Sequence, residues 1–250
     1  MGGVLVGCCG FPVARSRYVA EFSVVEVQAT FYQLPRPGTV RRWREEAPAG
    51  FRFAMKAWQL ITHRPSSPTY RRLREPLAGP EEGYGSFRST PEVEEAWRRT
   101  LAVAGELRAE VVVFQCPASF TPTDRHVADL RAFFSRVPRD GLLFAWEPRG
   151  RWPRELVAGL CRDLGLVHCV DPFAGEEVPG PVAYFRLHGI GGYRSRYADR
   201  DLVALRDRCR AALERGADEV WAMFNNATML EDARRFRLLL GAGRAGSGSG

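Results

Sequence analysis

Polar and charged side chains recur at the ends of short apolar segments, where they could bind or transform a substrate. Seven of the eight strand-like segments end in such a residue. Successive side chains of a strand alternate between its two faces, and these polar residues lie on the face, or phase, opposite the apolar side chains that contact the helices. Burying one polar group without a partner costs roughly a few kcal/mol, and an unpaired charge costs far more. We therefore expect a ligand site, with a structural ion-pair network as the alternative. The residues on this phase are Glu26, Gln28, Lys56, Gln115, Glu147, Asp171, Arg186, His188 and Asn225.

Lys56 is the only lysine among the chain's 36 basic residues, and all the others are arginines. Arginine stays protonated in proteins, and its planar fork differs from a compact ammonium. A lysine can instead transfer a proton, attack a carbonyl or fit a small anion site. A chance residue facing solvent is the simpler interpretation. Because the strand phase places Lys56 beside Glu26 and Glu147, we expect it to be charged, as an anchor or a proton donor.

One chemistry that fits these residues uses a divalent metal. Carboxylates together with histidine suit Mg, Mn or Zn, and the candidate ligands are Glu26, Glu147, Asp171 and His188. Such a metal would polarise a phosphoryl oxygen or lower the pKa of a bound water. The positive charges predicted in the same place would repel a cation, so the metal stays an open alternative.

Two further chemistries need no metal. In the first, the crowded carboxylates act as acid and base, and Lys56 and Arg186 stabilise developing negative charge. His188 could then move a proton near neutral pH. In the second, Lys56 is the Schiff-base nucleophile of a lyase, which requires a lowered lysine pKa. Neighbouring carboxylates oppose that shift, so the first version is favoured.

Composition favours anionic partners. The net charge is +7, and the apolar and charged fractions of 45% and 26% are typical of a globular protein. Six cysteines without C-x-x-C spacing argue against a zinc ribbon or a thioredoxin-type site and predict reduced thiols in the cytoplasm. We find no apolar run that could cross a membrane and no signal peptide. The Gly/Ser-rich residues 243–250 are predicted to form a flexible tail.

A non-enzymatic alternative is a binding module for nucleic acid or an anionic metabolite. Dispersed arginines could hold phosphates while tyrosines in predicted loops stack on bases. The tyrosines in question are Tyr70, Tyr84, Tyr193 and Tyr197. The alternative is a solvated, arginine-rich surface.

The elements that would position these residues alternate between strands and helices. Strands are predicted over 4–8, 24–28, 51–57, 111–116, 142–147, 167–171, 182–188 and 220–225. Helices are predicted over 16–22, 38–46, 91–107, 123–136, 153–164, 199–215 and 229–240. This alternation predicts a single (β/α)8 TIM-barrel-like domain over residues 1–242. An open doubly wound sheet is disfavoured because the first strand lacks a following G-x-G-x-x-G turn. The long loop 64–89 is either a lid or a surface excursion.

Six ordered runs also carry a resemblance to a known family. They are 25–35 (VEVQATFYQLP), 56–63 (KAWQLITH), 114–117 (FQCP), 146–149 (WEPR), 185–189 (FRLHG) and 224–226 (FNN). Together they closely resemble the YecE-like family, catalogued as domain of unknown function seventy-two. The resemblance covers residues 7–240 and implies a TIM-barrel-like fold without a settled reaction. The chain departs from the family at Gln28-Ala29, where Asn-Ser is common, and at 148–150, where Pro-Arg-Gly replaces Arg-His-Pro.

These observations lead to one functional expectation. We expect a hydrolase that acts on a phosphorylated or nucleic-acid-derived anionic substrate at the carboxyl ends of the strands. The expected catalytic residues are Lys56, Glu26, Glu147, Asp171 and His188. The expected substrate contacts are Gln28, Tyr32, His63, Gln115, Arg149, Arg186, Asn225 and Asn226. His126 and His168 are given no role, because a lone histidine is more often structural.

Overall fold

Eight parallel strands follow one another in chain order around a closed barrel, in a computed structural model that describes residues 3–245. This confirms the predicted (β/α)8 TIM-barrel-like class. The strands are rich in valine, cysteine and aromatic residues and are buried along nearly their whole length, as expected when both faces of a parallel sheet are covered. They are β1 (Val4–Cys9), β2 (Val24–Val27), β3 (Arg52–Lys56), β4 (Val111–Gln115), β5 (Leu143–Glu147), β6 (Val167–Val170), β7 (Val182–Leu187) and β8 (Glu219–Phe224).

The helices are α1 (Arg15–Glu21), α2 (Ala29–Tyr32), α3 (Pro37–Glu45), α4 (Gln59–Thr62), α5 (Pro91–Leu107), α6 (Asp124–Arg136), α7 (Arg154–Leu164), α8 (Asp199–Glu214) and α9 (Met229–Ala245). Helices α5 and α6 begin after threonine caps, since Thr90 and Thr123 each accept a backbone N–H of the first turn. The single-turn helices α2 and α4 were not predicted, because four residues are too few to show a helical period.

The chain divides into two compact units. Met1–Glu26 with Cys169–Gly250 forms the terminal unit, and Val27–His168 forms the central unit. The terminal unit contains β1, β7 and β8, in which β8 pairs with both β1 and β7. The central unit contains β3, β4 and β5, paired in that order around an aromatic core. The prediction of a single domain over residues 1–242 stays a prediction.

All six cysteines are free and buried. Burial raises the thiol pKa values of Cys9, Cys116, Cys161 and Cys209, and it raises that of Cys8 to about 12. No helix in the described part of the chain is long and apolar enough to cross a membrane. Helix α9 continues to Ala245, past its predicted end at residue 240 and into the segment predicted as a tail. The remainder of that predicted tail, residues 246–250, lies outside the described residues.

The loop 64–89 ends in a left-handed turn that is built into the core. Gly85, Ser86 and Phe87 have φ angles of 77°, 55° and 57°, and their backbone N–H groups donate to carbonyls of residues 60–62. A Cβ on Gly85 would lie 2.3 Å from the His63 carbonyl oxygen, so only glycine fits there. Each non-glycine residue in this conformation costs about 1–2 kcal/mol. Because Phe87 is fully buried, any lid movement is confined to residues 64–83.

Candidate functional site

Three polar side chains end adjacent strands of the central unit and form what we call the β3–β5 row, namely Lys56, Gln115 and Glu147. The Lys56 side chain is 4% exposed; its Nζ donates to Gln115 Oε1 at 2.8 Å and lies 3.7 Å from the centre of the Phe31 ring. Glu147 is 3% exposed, and its Oε1 accepts a hydrogen bond from Arg149 Nη1 at 3.1 Å. The row therefore combines a buried ammonium, an amide and a carboxylate, which could bind an anion and exchange protons.

The strand sequences explain why these three side chains share one side of the sheet. Successive side chains of a strand alternate between faces, so Lys56 lies on the phase of Ala54 and opposite Met55. In register, Lys56 stands beside Val113, and Gln115 stands beside Glu147. A cation over an aromatic ring is stabilised by about 0.5–2 kcal/mol, more when it is desolvated. Phe31 thus offsets part of the cost of burying the Lys56 charge.

His63 also packs against the Phe31 ring and is a neutral group. Its ring packs edge-on against Phe31 at 4.9 Å, and its Nδ1 is 2.7 Å from the Thr62 hydroxyl. Burial, together with the positive charge of Lys56, lowers the pKa of His63 to about 3. His63 could hydrogen-bond a substrate at neutral pH, but it would not carry a positive charge there.

The low pKa of His63 predicts an acid-dependent loss of stability. Between pH 6.5 and about pH 3 the unfolded chain binds a proton that the folded chain does not, so the free energy of unfolding falls as the pH falls. We expect His63→Gln to reduce the drop in unfolding free energy between pH 7 and pH 5 by about 2 kcal/mol. Urea unfolding at both pH values measures this drop. An unchanged drop would show that His63 is protonated in the fold.

Gln28 and Tyr32 flank helix α2 of the central unit. Gln28 immediately precedes the helix, and its carbonyl oxygen accepts the backbone N–H of Phe31. The guanidinium of Arg72 lies 3.5 Å from the centre of the Tyr32 ring, and the Tyr32 carbonyl accepts a hydrogen bond from Gln59. Tyr32 therefore lies in an arginine-lined groove, a position that the sequence did not predict.

In the terminal unit, Glu26 is part of a fully buried ion pair. Its Oε1 lies 3.1 Å from Arg186 Nη2, and its Oε2 accepts the Tyr184 hydroxyl at 2.8 Å. Burial and the negative charge of Glu26 raise the pKa of Tyr184 well above its usual value, so the phenol remains a donor. Tyr184 was absent from the predicted contacts, although it shares the strand phase of Arg186. At this position the structure fits the ion-pair alternative.

A second group of the terminal unit lies just beyond the strand ends. Asp171 accepts the backbone N–H of Phe173 through Oδ1 and that of His188 through Oδ2, both at 2.9 Å. Asn225 Nδ2 is 3.1 Å from His188 Nδ1. All three predicted residues are half-buried, so this group too could contact a ligand.

Asn226, in contrast, is part of a structural network. It is fully buried, and its Nδ2 donates to the Ser195 carbonyl and to Asp232 Oδ2, both at 2.8 Å. Thr228 Oγ1 also donates to Asp232 Oδ2 at 2.7 Å. These hydrogen bonds join the segment before α9 to the first turn of that helix. Asp232 was not among the predicted residues, although a carboxylate in the first turn of a helix is a recognisable signal of a helix start.

The four expected metal ligands do not form a cation site. Among the described residues, no three His, Cys, Asp or Glu side chains come together in a way that could hold a metal ion. Glu26 forms an ion pair with Arg186 and a hydrogen bond with Tyr184, and both oxygens of Asp171 accept backbone N–H groups. These side chains therefore favour chemistry that needs no metal.

The predicted base-stacking tyrosines are mostly inside the protein. Tyr84 and Tyr197 lie in loops, as predicted, but both are buried and their hydroxyls accept backbone N–H groups, so their rings are not exposed for a base to stack on. Tyr70 is half-buried and donates to the His63 carbonyl. Of these four tyrosines, Tyr193 is the exposed one, at 60%. Loop position alone did not reveal this, because the loops themselves pack against the core.

Comparison with known proteins settles the family. The model of the family described as "Protein of unknown function DUF72" matches residues 14–248. The chain belongs to the DUF72 family. This confirms the resemblance carried by the six sequence runs. Within the family, the UPF0759 protein YecE of Escherichia coli K12 is 44% identical over 46 residues, which are 18% of this chain and 17% of that protein.

Solved structures agree on the fold. A DUF72 family protein from Enterococcus faecalis V583 is 20% identical over 96% of this chain and 98% of its own, with a TM-score of 0.75. A DUF72 family protein from Thermotoga maritima MSB8 is 21% identical over 95% and 99%, with a TM-score of 0.70. D-Psicose 3-epimerase from Clostridium cellulolyticum H10 is 12% identical over 98% and 99%, with a TM-score of 0.57. At these identities the likeness establishes the barrel fold alone.

Proposed function

We propose that this DUF72 chain is a hydrolase that acts on a phosphorylated or nucleic-acid-derived anionic substrate at the β3–β5 row. The observation that supports it most is the buried Lys56 ammonium at a strand end, on the strand next to Gln115 and with Glu147 one strand further. TIM-barrel enzymes place their catalytic groups at the carboxyl ends of strands. In a site of low dielectric constant, a fixed positive charge stabilises developing negative charge far better than in water.

Each side chain of the row has its own role in hydrolysis. Lys56 binds the anionic group, and Gln115 orients its ammonium by accepting one N–H. Glu147, held by Arg149, accepts a proton from water as the water oxygen bonds to the electrophilic atom. The bond to the leaving group breaks, and the leaving oxygen takes a proton from the Lys56 ammonium. The packing of Lys56 on Phe31 favours this charged role over that of a Schiff-base nucleophile.

The test is a hydrolysis screen with phosphomonoesters, phosphodiesters and nucleotides. For the activity found, we expect Glu147→Gln and Lys56→Met each to reduce kcat/KM by about 10²–10⁴-fold. Lys56→Arg is expected to lose activity as well, because the wider guanidinium cannot keep the same contacts. Glu155→Gln, on an exposed carboxylate of α7, is the matched control. A hydrolase activity that survives both substitutions in the row would overturn the proposal.

A second candidate function, nucleic-acid binding without catalysis, is favoured by a basic groove in the central unit. The groove has a volume of about 1190 Å³, and six arginines but only two glutamates line it. The arginines are Arg36, Arg71, Arg72, Arg74, Arg98 and Arg99. The contact of Arg72 with the Tyr32 ring adds an aromatic surface on which a base could stack. Binding that survives Lys56→Met and Glu147→Gln but falls steeply with salt would favour this function.

A further inference from the structure

A separate pocket of the central unit is lined by hydroxyl groups, one guanidinium and one imidazole. Its volume is about 440 Å³, within the range of small-molecule sites, and it lies between the loop after β3 and the loop after β4. Its polar lining consists of Arg64, Ser66, Ser67, Ser86, Ser119 and His126. None of the described residues that line it is an aspartate or a glutamate. A lining of this composition favours an anion over a neutral or cationic ligand.

Ser86 supplies a buried hydroxyl whose proton is available. The residue is 4% exposed, and the left-handed turn of residues 85–87 fixes its position in the pocket wall. Its Oγ accepts a hydrogen bond from Arg64 Nε at 3.3 Å. Among the described residues the Ser86 hydroxyl proton has no acceptor, so it can donate to a ligand. Residues held in such a backbone conformation are concentrated at ligand sites.

Arg64 supplies the charged donor of the pocket, and His126 supplies a ring nitrogen. Within the described part of the chain, the Arg64 guanidinium forms no salt bridge, whereas arginines such as Arg52 pair with a carboxylate. The terminal nitrogens of Arg64 are thus open to a ligand. His126 Nδ1 lies 2.8 Å from the Thr121 carbonyl oxygen, which requires the proton on Nδ1 and leaves Nε2 for another partner.

We propose that this pocket binds a phosphoryl group of the substrate that is not itself hydrolysed, so that the substrate carries a phosphate in addition to the bond cleaved at the β3–β5 row. The inference rests on the proposed function, because it names the substrate of the β3–β5 row. A guanidinium fork matches two phosphate oxygens, the surrounding hydroxyls can donate to the remaining oxygens, and His126 Nε2 can accept the proton of a phosphate P–OH group. A planar carboxylate would leave several of these donors without an acceptor. The pocket assigns to His126 a role that the sequence alone did not suggest.

Binding of inorganic phosphate and of phenyl phosphate, measured by isothermal titration calorimetry at constant ionic strength, tests the pocket without requiring turnover. We expect Arg64→Gln to raise both Kd values about tenfold or more. Ser86→Gly removes the hydroxyl but suits the positive φ, so the variant should fold at least as well and still bind more weakly. Arg194→Gln, an exposed arginine of the terminal unit, is the control for loss of one charge and should leave both Kd values unchanged.

The outcomes separate this pocket from the β3–β5 row. Weaker binding in Arg64→Gln and Ser86→Gly, with binding retained in Lys56→Met, supports the pocket. Binding that is lost in Lys56→Met but retained in Arg64→Gln overturns it and places the phosphate at the row, which leaves the proposed function standing. If the wild-type chain binds neither probe, the pocket is likewise overturned, and the hydrolysis screen then decides the proposed function by itself.

Discussion

Replacing Arg186 with methionine is expected to lower the free energy of unfolding by about 3–5 kcal/mol, because it leaves the buried Glu26 carboxylate without its cation. The Arg186 side chain is 1% exposed and that of Glu26 is not exposed at all. Methionine keeps the length and most of the apolar contacts of the arginine, so the charge is the main change. Tyr184 would still donate to the carboxylate but, as a neutral group, could not balance its charge. Urea denaturation of the variant and the wild type measures the loss.

The double variant Glu26→Gln with Arg186→Met is the control for this first prediction. Removing both charges of a buried pair is often close to neutral, whereas removing one leaves the other unpaired. We expect the double variant to recover most of the stability that the single variant loses. A single variant that loses less than about 1 kcal/mol would contradict the prediction and mean that the Glu26 carboxylate reaches water.

Replacing Phe87 with alanine is expected to cost about 3–5 kcal/mol of unfolding free energy through loss of contacts and formation of a cavity. The Phe87 ring lies within 5.3–6.2 Å of the rings of Phe114, Phe120, Phe133 and Phe134. It also holds the turn that presents Ser86. The variant should therefore lose phosphate binding together with stability, as measured by calorimetry and urea denaturation.

Leu238→Ala is the matched control for Phe87→Ala. Leu238 is 75% exposed, so its truncation should change the free energy of unfolding by no more than about 0.5 kcal/mol. If Phe87→Ala proved as mild as this control, residues 85–87 would not be part of the core. The description of a fixed pocket wall would then be wrong.

The fold could be predicted from sequence because its signals are local and repeated. Apolar segments of strand length alternated with amphipathic helices, and the barrel follows from that order. The ends of β3, β4 and β5 were predicted to within one residue at Lys56, Gln115 and Glu147, since a polar residue interrupts each apolar run. The single-turn helices after β2 and β3 carried no such signal.

The roles within the candidate site were harder to predict, because partners are set by tertiary packing. Strand phase placed Glu26 and Arg186 on interior positions, but it could not show that both oxygens of Glu26 would be engaged by Arg186 and Tyr184. Nor could it show that Ser86 would be buried in a left-handed turn, since nothing in a serine's identity indicates a positive φ. Interior position was thus predictable, whereas the pairing of each polar group was not.

The burial of the only lysine has a practical consequence for chemical labelling. Reagents that modify lysine amines, including common cross-linkers and biotinylation esters, have no exposed lysine to attack on this chain, because Lys56 is 4% exposed. Modification of Lys56 would therefore report opening of the protein around the end of β3. Surface carboxylates and arginines offer attachment points that leave the fold closed.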